Sequence, residues 1–392
     1  MSKRFIRLKE LNCNMEKNYS PSEAYLEKNN KLQKNEIYPV STDANGNQFS
    51  VYKSRLDKEI YLIGDSSIES IYVRPSMRPH SCLEKILLEN GYSYSVYNQG
   101  VSGSQIQNII NVIINKLGNK QGSTLILSLP TNDSTVLRLK ENYFSDHWRY
   151  ASVVPASNEK SPIIKNISYE PYIRNLSIVI EICKLLQINL FITTIVYTGI
   201  NLRFKALNEI ARNICDKKNV AFIDFEDNLA KSNYFFYDDV HFLPEGCRYY
   251  AETVFNNIKD SLETDGSKRI ETHRICSDLV VEQSVNWSDY FSVSSIDSIK
   301  VIVDGEFSME SDGRQALLSV DYGVKNVNTN LAKSNNDEIG YFKYLTAPAG
   351  KRIELVIDLE VPSDCIKMRV GVRAWNSTNV KIHNAFISII KA

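Results

Sequence analysis

Four short segments, far apart in the chain, hold the side chains best suited to chemistry. Gly64-Asp65-Ser66 closes an apolar run and precedes a helical segment. A serine in that place stands at a helix N-terminus, where unpaired backbone N–H groups favour developing negative charge. Asn98-Gln99-Gly100-Val101-Ser102-Gly103-Ser104 again joins an apolar run to a helical one. Its glycines let the backbone come close to a bound group, and the Gly103 N–H can serve an oxyanion. The G-x-x-G spacing fits neither a Walker loop nor a dinucleotide fingerprint, which disfavours a phosphate cradle. Pro130-Thr131-Asn132-Asp133 ends a third apolar run. The Asn132 amide is a neutral donor suited to an alkoxide, the alternative being a helix cap. Asp238-Asp239-Val240-His241 comes last, just before Pro244 opens a helical stretch. A histidine that moves protons needs a partner to fix its tautomer, and a carboxylate three residues earlier on the same loop supplies one.

These residues need a scaffold that brings residue 66 to residue 241. Five apolar runs read as buried strands: 59–64, 93–100, 124–130, 188–195 and 220–225. Helical patterns lie between and after them, near 77–90, 104–117, 170–187, 202–218 and 244–262. In 104–117 the residues Ile106, Ile109, Ile110, Ile113 and Ile114 are expected on one side. Strands alternating with helices give a parallel, helix-covered sheet, and such a sheet binds ligands beyond the carboxyl ends of its strands. Ser66 and Asn132 both follow strand ends.

The flanks differ. Residues 1–57 are polar and rich in Asn and Lys, with one β-hairpin expected where Asn45-Gly46 turns between IYPV and FSVY. Around 264–276 the periodicity fails, and a linker with few crossing contacts is expected there. Residues 277–392 alternate in short apolar runs broken by Gly, Pro and Asn, which predicts an all-β antiparallel sandwich of roughly eight strands.

Composition narrows the partners. The 392 residues are 43% hydrophobic and 23% charged, enough for two ordinary domains. Lys+Arg and Asp+Glu balance at 46 each, so no global field recruits nucleic acid or an anionic membrane. At the N-terminus Arg7 and Lys9 interrupt Phe5, Ile6 and Leu8, leaving no secretory h-region, and no apolar run approaches membrane-spanning length. A cytoplasmic protein without a membrane span is the expectation. The seven cysteines are scattered, with no C-x-x-C pair, and read as buried thiols rather than metal ligands.

In order and placement, the four segments resemble the sequence blocks of the SGNH hydrolase superfamily, the GDSL esterases and lipases. IGDSSIES is similar to the block that holds the nucleophile, NQGVSGSQ to the second, PTND to G-x-N-D and DDVHFLPEG to D-x-x-H. The resemblance spans about 57–262 and implies a flavodoxin-like five-stranded parallel sheet over 58–263. It implies Ser66 as nucleophile, His241 as base and Asp238 as its partner, with Ser66, Gly103 and Asn132 forming the oxyanion hole. Pro130 and Ser67 depart from the family pattern, and Asp239 leaves a second acid beside His241. No metal or organic cofactor is required for such chemistry.

The function that follows is a serine esterase removing a small acyl group, such as O-acetyl, from a glycan. Two alternatives stand beside it. One is an O-acyltransferase using acetyl-CoA as donor to a polysaccharide hydroxyl. The other is a non-catalytic glycan-binding protein with a relic SGNH domain. An insertion at 134–165 with Tyr143, Phe144, His147, Trp148 and Tyr150 is either packing or a substrate wall. The sandwich aromatics Trp287, Tyr290, Tyr341, Tyr344 and Trp375 suit glycan binding, with a spacer or dimerisation role as the alternative. The oligomeric state is not fixed by the sequence.

Overall fold

A computed structural model describes residues 3–391 apart from 53–55, 57, 157–161, 165, 226–232, 265–268, 308–313, 325–326 and 376–378. The N-terminal segment carries β1 (Phe5–Ile6), β2 (Glu16–Tyr19), α1 (Glu23–Leu26), β3 (Glu36–Ser41) and β4 (Gln48–Phe49). Next come β5 (Glu59–Ile63), α2 (Ser66–Glu69), α3 (Pro79–Glu89), β6 (Ser95–Asn98), α4 (Ile106–Lys116), β7 (Thr124–Ser128), α5 (Asp133–Val136) and β8 (Val153–Val154). The α/β region ends with α6 (Glu170–Leu185), β9 (Asn189–Thr193), α7 (Leu202–Lys218), β10 (Ala221–Ile223) and α8 (Pro244–Ile258).

Its sheet has the order β10-β9-β7-β5-β6-β4. The five strands expected from the apolar runs are parallel to one another, and β4 adds an antiparallel edge. This is the doubly wound, flavodoxin-like order, and its direction reverses between β5 and β7. Alternation along β5 shows how the layers form. Tyr61 and Ile63 face a core shared with α4, α6 and α7, whereas Ile60 and Leu62 face one shared with α3 and α8. On α4, Ile106, Ile109, Ile110 and Ile113 are buried as expected, but Ile114 is 52% exposed. A helix turns through more than its core face in eight residues, so Ile114 falls off the stripe.

The β-rich region contains β11 (Arg269–Val281), β12 (Asn286–Trp287), β13 (Phe291–Ser292), β14 (Ser298–Phe307), β15 (Ala316–Asp321), β16 (Ala332–Lys333), β17 (Tyr341–Leu345), β18 (Lys351–Leu359), β19 (Lys367–Ala374) and β20 (Val380–Lys391). One sheet runs β11-β20-β14-β18-β3-β2, and the other β12-β19-β15-β17-β16 with β13 also on β19. Val301 and Val303 of β14, Leu318 and Val320 of β15, Val370 of β19 and Ile387 of β20 meet in one core between them. Its pairs are antiparallel except that β3 lies parallel to β18 (Arg352↔Glu36, Ile353↔Ile37).

Two expectations about the flanks are corrected. The stretch placed in a linker at 264–276 is, from Arg269 onward, part of a long strand paired with β20, and 265–268 lie outside the described residues. β11 is an edge strand with a register shift between Arg274 and Cys276, so its polar, broken alternation hides the strand. The hairpin at Asn45-Gly46 does turn, with Gly46 at φ +72° and the Asp43 carboxylate accepting the Asn45 and Asn47 N–H groups. Its arms then part: β3 enters the sandwich, β4 joins the α/β sheet, and only Thr42↔Gln48 bridges them.

The two regions share a buried contact. Val51, Tyr52 and Leu88 pack against Ile302 and Ile390 on the outer face of the sandwich. Beside it, Arg74 reaches Glu36 (2.6 Å) and Asp304 (3.2 Å), and Arg352 reaches Asp304 (2.7 Å). Ser76 donates its N–H and hydroxyl to Glu354 at 2.7 and 2.5 Å. Among the described residues no helix is long and apolar enough to cross a membrane.

Candidate active site

Ser66 is the first residue of the single turn α2, directly beyond β5. Asp65 caps that turn: its Oδ1 accepts the Ser67 N–H (3.0 Å) and hydroxyl (2.9 Å). Its Oδ2 accepts the Thr131 N–H (2.7 Å), the Thr131 hydroxyl (2.6 Å) and the Asn132 amide (3.0 Å). One fully buried carboxylate thereby fastens the serine turn to the loop after β7. The departure at Ser67 is absorbed here, because its hydroxyl is committed to Asp65 inside the protein. The role of Asp65 went unread in the sequence, although an aspartate at a helix N-cap was its visible signal.

The loop after β6 is drawn onto the same turn. Asn98 donates to the Ile68 carbonyl (2.7 Å) and accepts the Gly100 N–H (2.7 Å). A Cβ on Gly100 would stand 2.5 Å from the Glu69 nitrogen, so only glycine lets the two backbones approach. Ser102 donates its N–H to the Glu69 carboxylate at 2.7 Å. Burial pushes the Glu69 carboxyl up to about 7, against the Ser102 N–H and the Arg78 charge, which pull it down. Gly103 follows at φ +77°. Among the described residues, neither the Gly103 nor the Ser66 N–H has a hydrogen-bond acceptor.

The last segment is folded by Asp238 itself. Its Oδ1 accepts the Val240 and His241 N–H groups at 2.9 and 2.8 Å, and its Oδ2 lies 2.7 Å from His241 Nδ1. His241 Nε2 is then 2.8 Å from Ser66 Oγ. Burial would raise the Asp238 carboxyl, but the bond and charge of His241 and the two backbone donors outweigh it and hold it below the usual range. The neighbouring acid does none of this. Asp239 has an exposed side chain, and its carbonyl accepts the Thr198 N–H at 2.8 Å. Tyr237, also unread in the sequence, lays its ring flat on the imidazole, 5.4 Å between centroids and 7° between planes.

The structure therefore brings Ser66, His241 and Asp238 into one hydrogen-bonded line and ties Asn132 to the serine turn through Asp65. Asn132 makes no helix-capping bond with its side chain, and its second amide N–H is not used by Asp65. Asp133 turns away and accepts the Ile106 N–H at the start of α4 (3.2 Å) and the Tyr143 hydroxyl. In the insertion, Tyr143 is buried, Phe144 and Trp148 are 70% and 57% exposed, and His147 stacks on both Trp148 and Tyr150. Among the described residues no group of three or more His, Cys, Asp or Glu stands where it could hold a metal ion.

About half of the chain is similar in fold to solved lipase and esterase structures. Solved structures similar to it include a lipase/acylhydrolase from Enterococcus faecalis, at 15% identity and TM-score 0.40, covering 53% of this chain and 98% of that one. An acetyl xylan esterase is similar at 14% identity and TM-score 0.39, covering 50% of this chain and 98% of that one. The esterase EstA from Pseudoalteromonas is similar at 13% identity and TM-score 0.40, covering 52% and 98%. No family model and no curated protein matches the chain.

Proposed function

We propose that the chain is a serine esterase that removes a small acyl group, such as acetyl, from a glycan. The observation that carries this reading is the line from Asp238 through His241 to Ser66, with contacts of 2.7 and 2.8 Å. His241 takes the hydroxyl proton as Ser66 Oγ attacks the ester carbonyl. Asp238 holds the imidazole by Nδ1, keeps Nε2 toward the serine and steadies the imidazolium. The Ser66 and Gly103 N–H groups and the free N–H of Asn132 receive the oxyanion, one such donor contributing roughly 10²–10³ in turnover. His241 then returns its proton to the leaving alcohol, and a water molecule repeats the sequence to release the acid.

The sandwich is proposed as a buttress of the α/β region. Its marked aromatics are largely engaged: Arg369 lies over Trp287 and Tyr290 at 4.6 and 4.7 Å, Tyr344 meets Trp375 edge-on, and Tyr341 is buried.

A fluorophosphonate probe tests the esterase reading. It is expected to label Ser66 in the wild type and nothing in Ser66→Ala, with acetate released from an acetylated glycan by the wild type alone. Labelling of Ser67, or turnover retained in Ser66→Ala, would sink the assignment. Acetate release suppressed by an added acceptor glycan would show transfer instead of hydrolysis.

A further inference from the structure

Two elements that the catalytic line does not use bring two cations, Lys9 and Arg149, to the loop that holds Gly103, with Arg7 close behind them. β1 pairs with β8 (Phe5↔Val154, Ile6↔Val153), and the Arg7 N–H extends the pairing to the Ser152 carbonyl at 2.9 Å. The Arg7 guanidinium is held by the Trp148 carbonyl at 2.8 Å. Lys9 reaches across and donates to the Ser102 carbonyl at 3.2 Å. A Cβ placed on Gly103 would lie 3.2 Å from Lys9 Nζ and 3.3 Å from Arg149 Nε, so both cations border that residue.

Among the described residues none of the three forms an ion pair with a carboxylate. Glu69, the acid whose charge Lys9 feels, is taken by the Ser102 N–H. Burial and the like charges of Arg7 and Arg149 bring Lys9 down to about 8. Converging cations repel one another, and an arriving anion relieves that repulsion while gaining charge-assisted hydrogen bonds. Two guanidiniums suit the paired oxygens of a carboxylate or phosphate.

We propose that Arg7, Lys9 and Arg149 form a subsite for an anionic oxygen group carried by the ester substrate, so that the preferred substrate is an acylated acidic sugar. This rests on the reading of Ser66 as an esterase nucleophile. The subsite adjoins the residue assigned to the oxyanion, so the anionic group and the ester belong to one sugar unit. The N-terminal segment then acts in substrate selection.

The test compares kcat/KM for O-acetyl galacturonic acid, its carboxyl methyl ester, O-acetyl glucose 6-phosphate and neutral nitrophenyl acetate. The free acid is expected to exceed its methyl ester about tenfold, mainly through KM. That preference should shrink in about 0.5 M NaCl, where exposed charges are screened. It should also fall toward one in Lys9→Met and Arg149→Met. A stronger preference for the phosphorylated sugar keeps the subsite and makes phosphate its ligand. Equal rates on the acid and its methyl ester, with nitrophenyl acetate still cleaved, overturn the subsite and leave the esterase standing. No cleavage of any ester and no fluorophosphonate labelling overturn both.

Discussion

Two acids sit side by side before His241, and only one of them has its carboxylate on the imidazole. Asp238→Asn is expected to lower kcat by roughly 10⁴, because an amide lets the ring settle in the wrong tautomer. Asp239→Asn should stay within a few-fold, and the reverse ranking in ester turnover would move the partner role. Asp65 gives a second test at this scale. Asp65→Asn turns an amide N–H toward donors that a carboxylate accepted, at about 1–3 kcal/mol for groups left unpaired. Both the melting temperature and kcat should fall, since the serine turn and the Asn132 loop lose their common anchor. A loss of kcat with unchanged stability would show that Asp65 serves the chemistry alone. The residues with chemistry of their own were legible in the sequence, because serine, histidine and acid types at strand ends carry a signal. Asp65 and Tyr237 were not, because their work depends on what lies 66 residues away or across a ring face.

At the scale of elements, buried acids hold the loops. Glu69 receives the loop after β6, Asp133 receives the start of α4, and Glu354 receives Ser76. Burial raises all three carboxyls, Glu69 and Asp133 to about 7 each, against the opposing pull of their hydrogen-bond donors. Between about pH 4 and pH 7 these three acids bind more protons in the folded chain than in the unfolded one, so their joint contribution to stability falls as pH rises through that window. It outweighs the opposite effect of the single buried His80, which burial lowers to about 3. Melting temperature is expected to decline from pH 5 to pH 7 and to decline less in Glu69→Gln and Asp133→Asn. A flat or rising profile in the wild type would show these acids ionised throughout. Periodicity made the five parallel strands and their helices readable, since each buries a continuous stripe. It missed β11, whose edge position leaves it polar, and misread the ends of the Asn45-Gly46 turn, because a local hairpin signal does not say which sheet each arm joins.

At the scale of the molecule, packing, strand pairing and an ion pair all cross the break near residue 264. A chain ending near 265 would lose β18 beside β3, strip the cover from Val51, Tyr52 and Leu88, and leave Arg74 with Glu36 but without Asp304. Newly exposed apolar surface destabilises, by several kcal/mol for three large side chains. The truncated chain is expected to be insoluble or to melt far below the full chain, as read by calorimetry and by recovery after expression. A soluble truncation with full activity on nitrophenyl acetate would show the α/β region to be self-sufficient.

The parallel pair of β3 with β18 has a consequence for how the chain is made. Residues 36 and 37 pair with 352 and 353, so β3 waits for a strand made long after it. Until then the polar N-terminal segment is tethered to a growing α/β sheet with no sandwich to enter. Closing so long a loop is slow relative to local pairing. The nascent chain therefore passes through a stage in which its helices are packed but β3 still lacks its partner β18. Activity should appear only after β18 has been made, later than the α/β core acquires resistance to protease.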